Sequence, residues 1–312
     1  MTAEKAYRPT TFDNYIGQPK VKKILKIAIK AAQMKNEPLD NILISGPSSC
    51  GKTTLAQIIA NESGQSFKAF SCPSLKRVED VVDILMNVEE NSILFLEECH
   101  RLPKKLQEII FLAMEQFYVD VMEDGEPIRY NLPRFTTICA TNEVGGLAEP
   151  MRNRFMIQIN LTPYTDDDML EIVNNNFNSM GVEIDNECAE LIAGCTRGVP
   201  RNANSYCRRV YDVALVTNDG IINEEVVYDT FDLMDINEYG LNSTDMRYLQ
   251  LLYDNRKSTG LDTIALALGT DKKSIETVVE PYLFKSGVAT KGPRGRKITQ
   301  KGVEVIESCA AL

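Results

Sequence analysis

The nine residues "GPSSCGKTT", 46 to 54, constrain this chain more than any other stretch. They match G-x-x-x-x-G-K-[ST] through Gly46, Gly51, Lys52 and Thr53. They follow the apolar run "NILIS" and lead into "TTLAQIIANESG", whose apolar positions recur at helical spacing. A strand, a glycine loop and a helix in that order aim backbone N–H groups and a helix N-terminus at one point, which is how a chain cradles phosphate. Lys52 is then expected to reach the β and γ phosphates and the Thr53 hydroxyl to take Mg²⁺, so the implied cofactors are ATP and Mg²⁺. An incidental glycine turn would need neither the strand before it nor the helix after it.

The surroundings repeat the strand-then-helix rhythm. "NILISG", "SFKAFS", "SILFLEE", "FTTICAT" and "FMIQINL" are short runs, mostly apolar on both faces, with helical patterns between most of them. That alternation predicts a parallel sheet covered on both sides, an α/β domain over residues 1–162. After Pro163 the strand signal stops. "TDDDMLEIVNNNFNSMG", "NECAELIAGCTRG", "PRNANSYCRRVYDVALV" and "NEEVVYDTFDLM" carry helix-period apolar positions with Asp or Asn at plausible N-caps, giving a small all-helical domain at 163–237. Residues 238–312 read as three helices followed by "VATKGPRGRKIT", a basic ribbon with a Pro-Gly tip, the pattern of a winged helix.

Composition excludes several classes. No apolar run is long enough to cross a membrane, and "MTAEKAYRPTTFDNYIG" has no export pattern, so the expected location is the cytoplasm with no membrane partner. The eight cysteines form no CxxC pair and fit reduced, neutral core thiols. The net charge of −10 is unevenly spread: from residue 240 onward there are 11 Lys and Arg against 8 Asp and Glu, and before it 23 against 36. An acidic body with a mildly basic end can still contact nucleic-acid phosphates locally.

Hydrolysis needs carboxylates beside the phosphate loop, and Glu97 and Glu98 end the next strongly apolar run: Glu97 as metal ligand, Glu98 as the base that activates water. Asn142, ending "TTICATN", is expected near the γ-phosphate. Arg152 and Arg154 in "PMRNRF" and Arg201 in "GVPRNAN" lie at element ends, where an arginine can stabilise transition-state charge.

The series "YRPTTFDNYIGQ", "GPSSCGKTTLAQIIA", "LEECHRL", "CATN", "EPMRNRF", "TRGVPRNANSYCRRV", "EPYL" and "GPRGR" resembles the RuvB family of AAA+ ATPases, from about Tyr7 to Thr299. The resemblance implies a P-loop ATPase domain, a helical lid and a winged helix, assembled as a homo-hexameric ring. Such a ring pumps duplex DNA through a four-way (Holliday) junction in recombination and repair. It also implies residue roles. Tyr7 and Arg8 lie at the adenine and ribose; Gly46, Ser49, Cys50, Gly51, Lys52, Thr53 and Thr54 surround the phosphates; Tyr164 and Arg201 contact nucleotide from the lid. Arg154 is the arginine offered to the neighbouring subunit, with Arg152 beside it, and Arg294 and Arg296 are the wing's contacts to DNA phosphates.

Three departures from the family pattern stand out. Glu97-Glu98-Cys99-His100 replaces Asp-Glu-Ile-His, moving the metal-holding carboxylate roughly 1.5 Å outward, one C–C bond. Ser48-Ser49-Cys50 replaces Pro-Gly-Leu, removing a glycine from the loop and introducing a thiol. The hairpin at 118–135 is short with an acidic tip, "EDGEP", where the family docks RuvA, so a RuvA-like partner is expected to bind differently or not at all. Two other readings remain at this stage: a clamp-loader-like AAA+ ATPase, and a nucleotide-gated DNA-binding module with little hydrolysis.

Overall fold

The computed structural model describes residues 7–123, 126–255 and 257–310. Its contacts divide the chain into two compact units, Met1–Asp168 with Val199–Arg201, and Met169–Gly198 with Asn202–Leu312.

In the first unit, α1 (Pro19–Lys35) precedes β1 (Ile42–Ser45), α2 (Lys52–Ser63), β2 (Phe67–Ser71), α3 (Val78–Met86), β3 (Ile93–Glu97) and α4 (Lys104–Gln116). A hairpin of β4 (Tyr118–Glu123) and β5 (Glu126–Asn131) follows, then β6 (Thr136–Thr141), the short α5 (Glu149–Arg152) and β7 (Ile157–Asn160). Among the described residues, five strands form one parallel sheet in the order β2-β3-β6-β1-β7. Alternation along the strands explains why the runs are apolar throughout. Ile42, Ile44, Ile93, Phe95, Ile138 and Ala140 face the core shared with α1 and α2. Leu43, Leu94, Leu96 and Cys139 face the opposite core, with Val81, Leu85, Leu106 and Ile110 of α3 and α4. The expected α/β domain is therefore present, with the phosphate loop leaving a strand flanked on both sides.

The second unit holds most of α6 (Asp166–Met180), α7 (Asn186–Cys195), most of α8 (Pro200–Thr217), α9 (Glu224–Leu233), α10 (Ser243–Asn255) and α11 (Leu261–Leu268). Asp185 and Asn223 cap α7 and α9 by accepting from the N–H groups of Cys188 and Val226. The lid helices and the winged helix keep separate apolar interiors, the latter built on Leu241, Tyr248, Ile264, Leu283 and Ile306. Yet both lie within one compact unit. Arg197 joins them: its guanidinium donates to the Gly240 carbonyl at 2.7 Å and to buried Asp245 at 2.6 Å, and lies 4.7 Å from the Tyr282 ring.

The third winged-helix helix is not continuous. It runs as α12 (Lys272–Ser274), a π-helical segment Ile275–Val279, and α13 (Glu280–Lys285). Pro281 has no N–H to donate, and the ladder widens by one residue just ahead of it. After β8 (Ala289–Gly292) and β9 (Gly295–Ile298), α14 (Gln300–Ala310) closes the unit.

Arg296 departs most from expectation. The sequence places it with Arg294 on the DNA-facing wing, but its side chain is buried. Its Nε donates to Glu280 Oε1 at 2.7 Å, its Nη2 reaches Glu280 Oε2 at 3.2 Å and Glu276 at 3.1 Å, and Tyr248 donates to the same Glu280 at 3.1 Å. Its backbone exchanges two 2.9 Å hydrogen bonds with Thr259. Arg296 thus anchors the hairpin from beneath, while Arg294 at the turn is exposed. Arg296→Ala leaves Glu280 buried without its counter-charge, and is expected to destabilise the chain by about 3 kcal/mol or more in denaturant unfolding followed by circular dichroism.

Candidate nucleotide site

Parallel register sets the site. Ser45 of β1 pairs with Thr141 of β6, and Glu97 of β3 pairs with Ala140, so Gly46, Glu98 and Asn142 emerge at the C-terminal ends of three neighbouring strands, within one residue of level. The loop between β1 and α2 needs left-handed backbone at Gly46 (φ 145°), Ser49 (φ 63°) and Gly51 (φ 86°). A Cβ at Gly46 would stand 2.8 Å from the Leu161 carbonyl oxygen, so no side chain fits there.

Lys52 is buried at the start of α2, and its ammonium donates to the loop carbonyls of Gly46 (3.0 Å) and Pro47 (2.8 Å). Burial lowers its pKa, opposed by the negative charge of Glu98 and Glu97. The Thr53 hydroxyl donates to Glu97 Oε1 at 2.5 Å. Asn142 donates from Nδ2 to Ser48 Oγ at 3.3 Å, tying the end of β6 to the phosphate loop. The structure thus brings Lys52, Thr53, Glu97, Glu98 and Asn142 together. Glu98 itself sits in a left-handed conformation (φ 55°), a costly state for a residue with a side chain and one found where geometry serves chemistry.

Thr53 and Glu97 fit a hard cation. Both present oxygen, the donor that Mg²⁺ prefers, and their 2.5 Å contact puts the two donors close enough that they would share one ion. Nucleotide phosphate and water would supply the remaining oxygen donors. The extra methylene of Glu97 does not strand its carboxylate: it reaches the Thr53 hydroxyl directly.

On the other side of the loop, buried Tyr164 has its hydroxyl 3.4 Å from where a Gly51 Cβ would be, and Tyr15 is there at 3.2 Å. The two phenols lie close enough to perturb each other, and the Tyr15 hydroxyl is buried. Burial pushes the Tyr164 pKa up to about 12 and that of Tyr15 further, so both stay protonated donors. Tyr15 lies inside "YRPTTFDNYIG" but carried no signal marking it out, since only the fold lays it against the loop. Tyr7, whose hydroxyl donates to the Asn14 carbonyl at 3.2 Å, is half-buried, and Arg8 is exposed. Cys50 is buried, so the thiol that the sequence brings into the loop is shielded from reagents. Thr54 is half-buried in the first turn of α2.

Arg152 ends α5 half-buried; Arg154, two residues on, is exposed, ion-paired with Glu115 of α4 and 5.3 Å from the Phe111 ring. Arg201 is exposed in the first turn of α8. On the β4–β5 hairpin, Asp124 and Gly125 of the acidic tip lie outside the described residues. Its arms carry exposed Met122, Pro127 and Ile128, with Met122 directly opposite Pro127, so an apolar patch persists below the tip.

A phosphate-cradling loop on a central parallel strand, carboxylates on the strand two places away and a polar side chain on the strand between them belong to a P-loop nucleoside triphosphatase. The helical lid and winged helix that follow narrow this to the AAA+ class. Comparison with known proteins agrees along the whole chain. Family models described as "Holliday junction DNA helicase RuvB P-loop domain", "RuvB AAA lid domain" and "RuvB C-terminal winged helix domain" match residues 7–161, 164–237 and 238–307. The Holliday junction branch migration complex subunit RuvB of Campylobacter hominis is 40% identical over 97% of this chain and 91% of its own length. That of Kosmotoga olearia is 41% identical over 95% and 89%. The solved Thermotoga maritima RuvB Holliday junction branch migration motor superposes with a TM-score of 0.83 at 35% identity, covering 97% of this chain and 99% of that one. The chain belongs to the RuvB family.

Ser49 carries the backbone strain that the family's glycine avoids. Relieving the left-handed penalty of about 1–2 kcal/mol, less the entropy glycine adds to the unfolded chain, Ser49→Gly is expected to stabilise the protein by about 0.5 kcal/mol. Ser49→Val should destabilise it by more than 1 kcal/mol, as roughly expected for a β-branched residue there. Paired denaturant titrations measure both.

Proposed function

We propose that this chain is an ATP-driven, Mg²⁺-dependent motor for branch migration of Holliday junctions, working in the cytoplasm as a homo-hexameric ring on duplex DNA. The observation that carries the reading is the convergence of Lys52, Thr53, Glu97, Glu98 and Asn142 at the C-terminal ends of neighbouring strands. A module that only binds nucleotide has no use for a second carboxylate held in strained backbone beside the first. The exposed winged-helix turn favours a DNA motor over a clamp-loader-like enzyme.

In this reading Lys52 exchanges its two loop carbonyls for the β and γ phosphates, while Gly46, Ser49, Cys50, Gly51 and Thr54 supply backbone around them. Mg²⁺, when bound, neutralises charge on the phosphate oxygens; Thr53 and Glu97 are the residues that hold it. Glu98 takes the proton from the attacking water, and Asn142 orients that water. Tyr7, Arg8, Tyr15, Tyr164 and Arg201 contact the rest of the nucleotide. Arg154, with Arg152 beside it, serves the neighbouring subunit's site, held outward by Glu115 and Phe111. A RuvA-like junction-binding partner would engage the hairpin through Met122 and Ile128 rather than through its tip.

Purified chain with ATP and a synthetic four-way junction should move the branch point and release phosphate faster than without DNA. Turnover no faster than that of Lys52→Ala would overturn the motor. Arg294→Ala should weaken duplex binding equally across sequences and lower the salt slope by about one counterion, since a phosphate contact reads no bases. Binding isotherms at several salt concentrations decide this, and an unchanged slope removes Arg294 from the interface.

A further inference from the structure

His100, the chain's single histidine, lies beside the catalytic strand end without a role in the chemistry above. Its Nδ1 is 3.0 Å from Thr141 Oγ1, and its Nε2 is 3.5 Å from Glu98 Oε2. The ring is nearly buried. Its backbone is fixed by close packing: a Cβ at Gly146, in the loop that follows Asn142, would come within 2.8 Å of the His100 Cβ. Buried Gln107 of α4 clamps that loop, donating to the carbonyls of Leu102 and Gly146 and accepting from Ala148 N–H.

The hydrogen bonds select the tautomer. Thr141 Oγ1 accepts from Glu143 N–H at 2.9 Å and has one proton to give. Given to Nδ1, that proton leaves Nε2–H pointing at the Glu98 carboxylate. The opposite tautomer sets an Nε2 lone pair against carboxylate oxygen, two acceptors face to face. The neutral ring is therefore an Nε2–H donor to Glu98. The 3.5 Å separation is long for a hydrogen bond, as catalytic contacts without substrate often are. Thr141 is the residue before Asn142, and its hydroxyl holds the N–H of the residue after it. One imidazole thus touches both elements that face the attacking water.

We propose that His100 is a positioning residue that donates through Nε2–H to one oxygen of Glu98 and, through Thr141, holds that base in register with Asn142. The proposal rests on Glu98 being the base. Truncating His100 frees the carboxylate to swing, and misplacement on the order of 1 Å costs about 10- to 10²-fold in rate.

The test is junction-stimulated phosphate release, with equilibrium binding of a fluorescent ATP analogue as a second readout. His100→Ala should lower kcat at least about 10-fold, leaving analogue affinity within about 2-fold. A glutamine amide nitrogen reaches the Nε2 position and an asparagine amide only that of Nδ1, so His100→Gln should recover most of the loss and His100→Asn none. Thr141→Val should lower kcat alone, and the double variant should lose less than the two single losses combined, because both remove the Thr141–His100 contact. Wild-type kcat in His100→Ala, equal loss in the Gln and Asn variants, or additive losses with Thr141→Val would each overturn the proposal. Glu98→Gln in parallel separates the two readings: if it keeps its turnover, Glu98 is not the base and the proposal falls with that assignment; if it is inactive, the His100 results stand alone.

Discussion

In-register pairing of β1, β6 and β3 is the constraint on which the rest of the structure depends. Neighbouring strands lie about 4.8 Å apart, so matched ends place Gly46, Asn142 and Glu98 within reach of one phosphate chain. A parallel sheet must be covered on both faces, which accounts for the continuous apolar strands and for the helices that follow them. The helix opened by Lys52 supplies both the cover for Ile44 and Phe95 and the amide dipoles for phosphate. Fold and site are here a single solution to burying β1.

The second unit depends on two arginines. Arg197 joins the lid helices to the winged helix through Gly240, Asp245 and Tyr282, and Arg296 holds the hairpin against Glu280 and Tyr248. Each takes a planar, forked donor into a buried place where several acceptors meet, which suits guanidinium better than ammonium. The break in the third helix belongs to the same design. Its π segment ends at Val279, directly before Glu280, the residue that receives Arg296.

The departures from family pattern are absorbed locally. Ser49 takes up left-handed backbone that glycine adopts without strain, Cys50 turns inward to pack, and Glu97 uses its longer arm to meet Thr53. No disulfide joins the eight cysteines, and burial raises the pKa of Cys72, Cys139, Cys188, Cys195 and Cys207, which keeps these thiols neutral, as their scatter along apolar segments implies.

By itself the sequence determined the phosphate loop, the alternation of strands and helices, the all-helical stretch and the basic ribbon. Each of these is written in neighbouring residues, through glycine spacing, hydrophobic period and turn chemistry. Glu97, Glu98 and Asn142 were legible because they end apolar runs whose strand character is local. Tertiary structure alone decided that Arg296 is an anchor and Arg294 the exposed arginine, that Tyr15 lines the loop, and that His100 faces Glu98. Partners 16, 36 and 41 residues apart made those choices, Glu280 for Arg296, Gly51 for Tyr15 and Thr141 for His100. Whether a charged or polar side chain meets water or a counterpart depends on what the rest of the chain packs against it, and no local pattern records that.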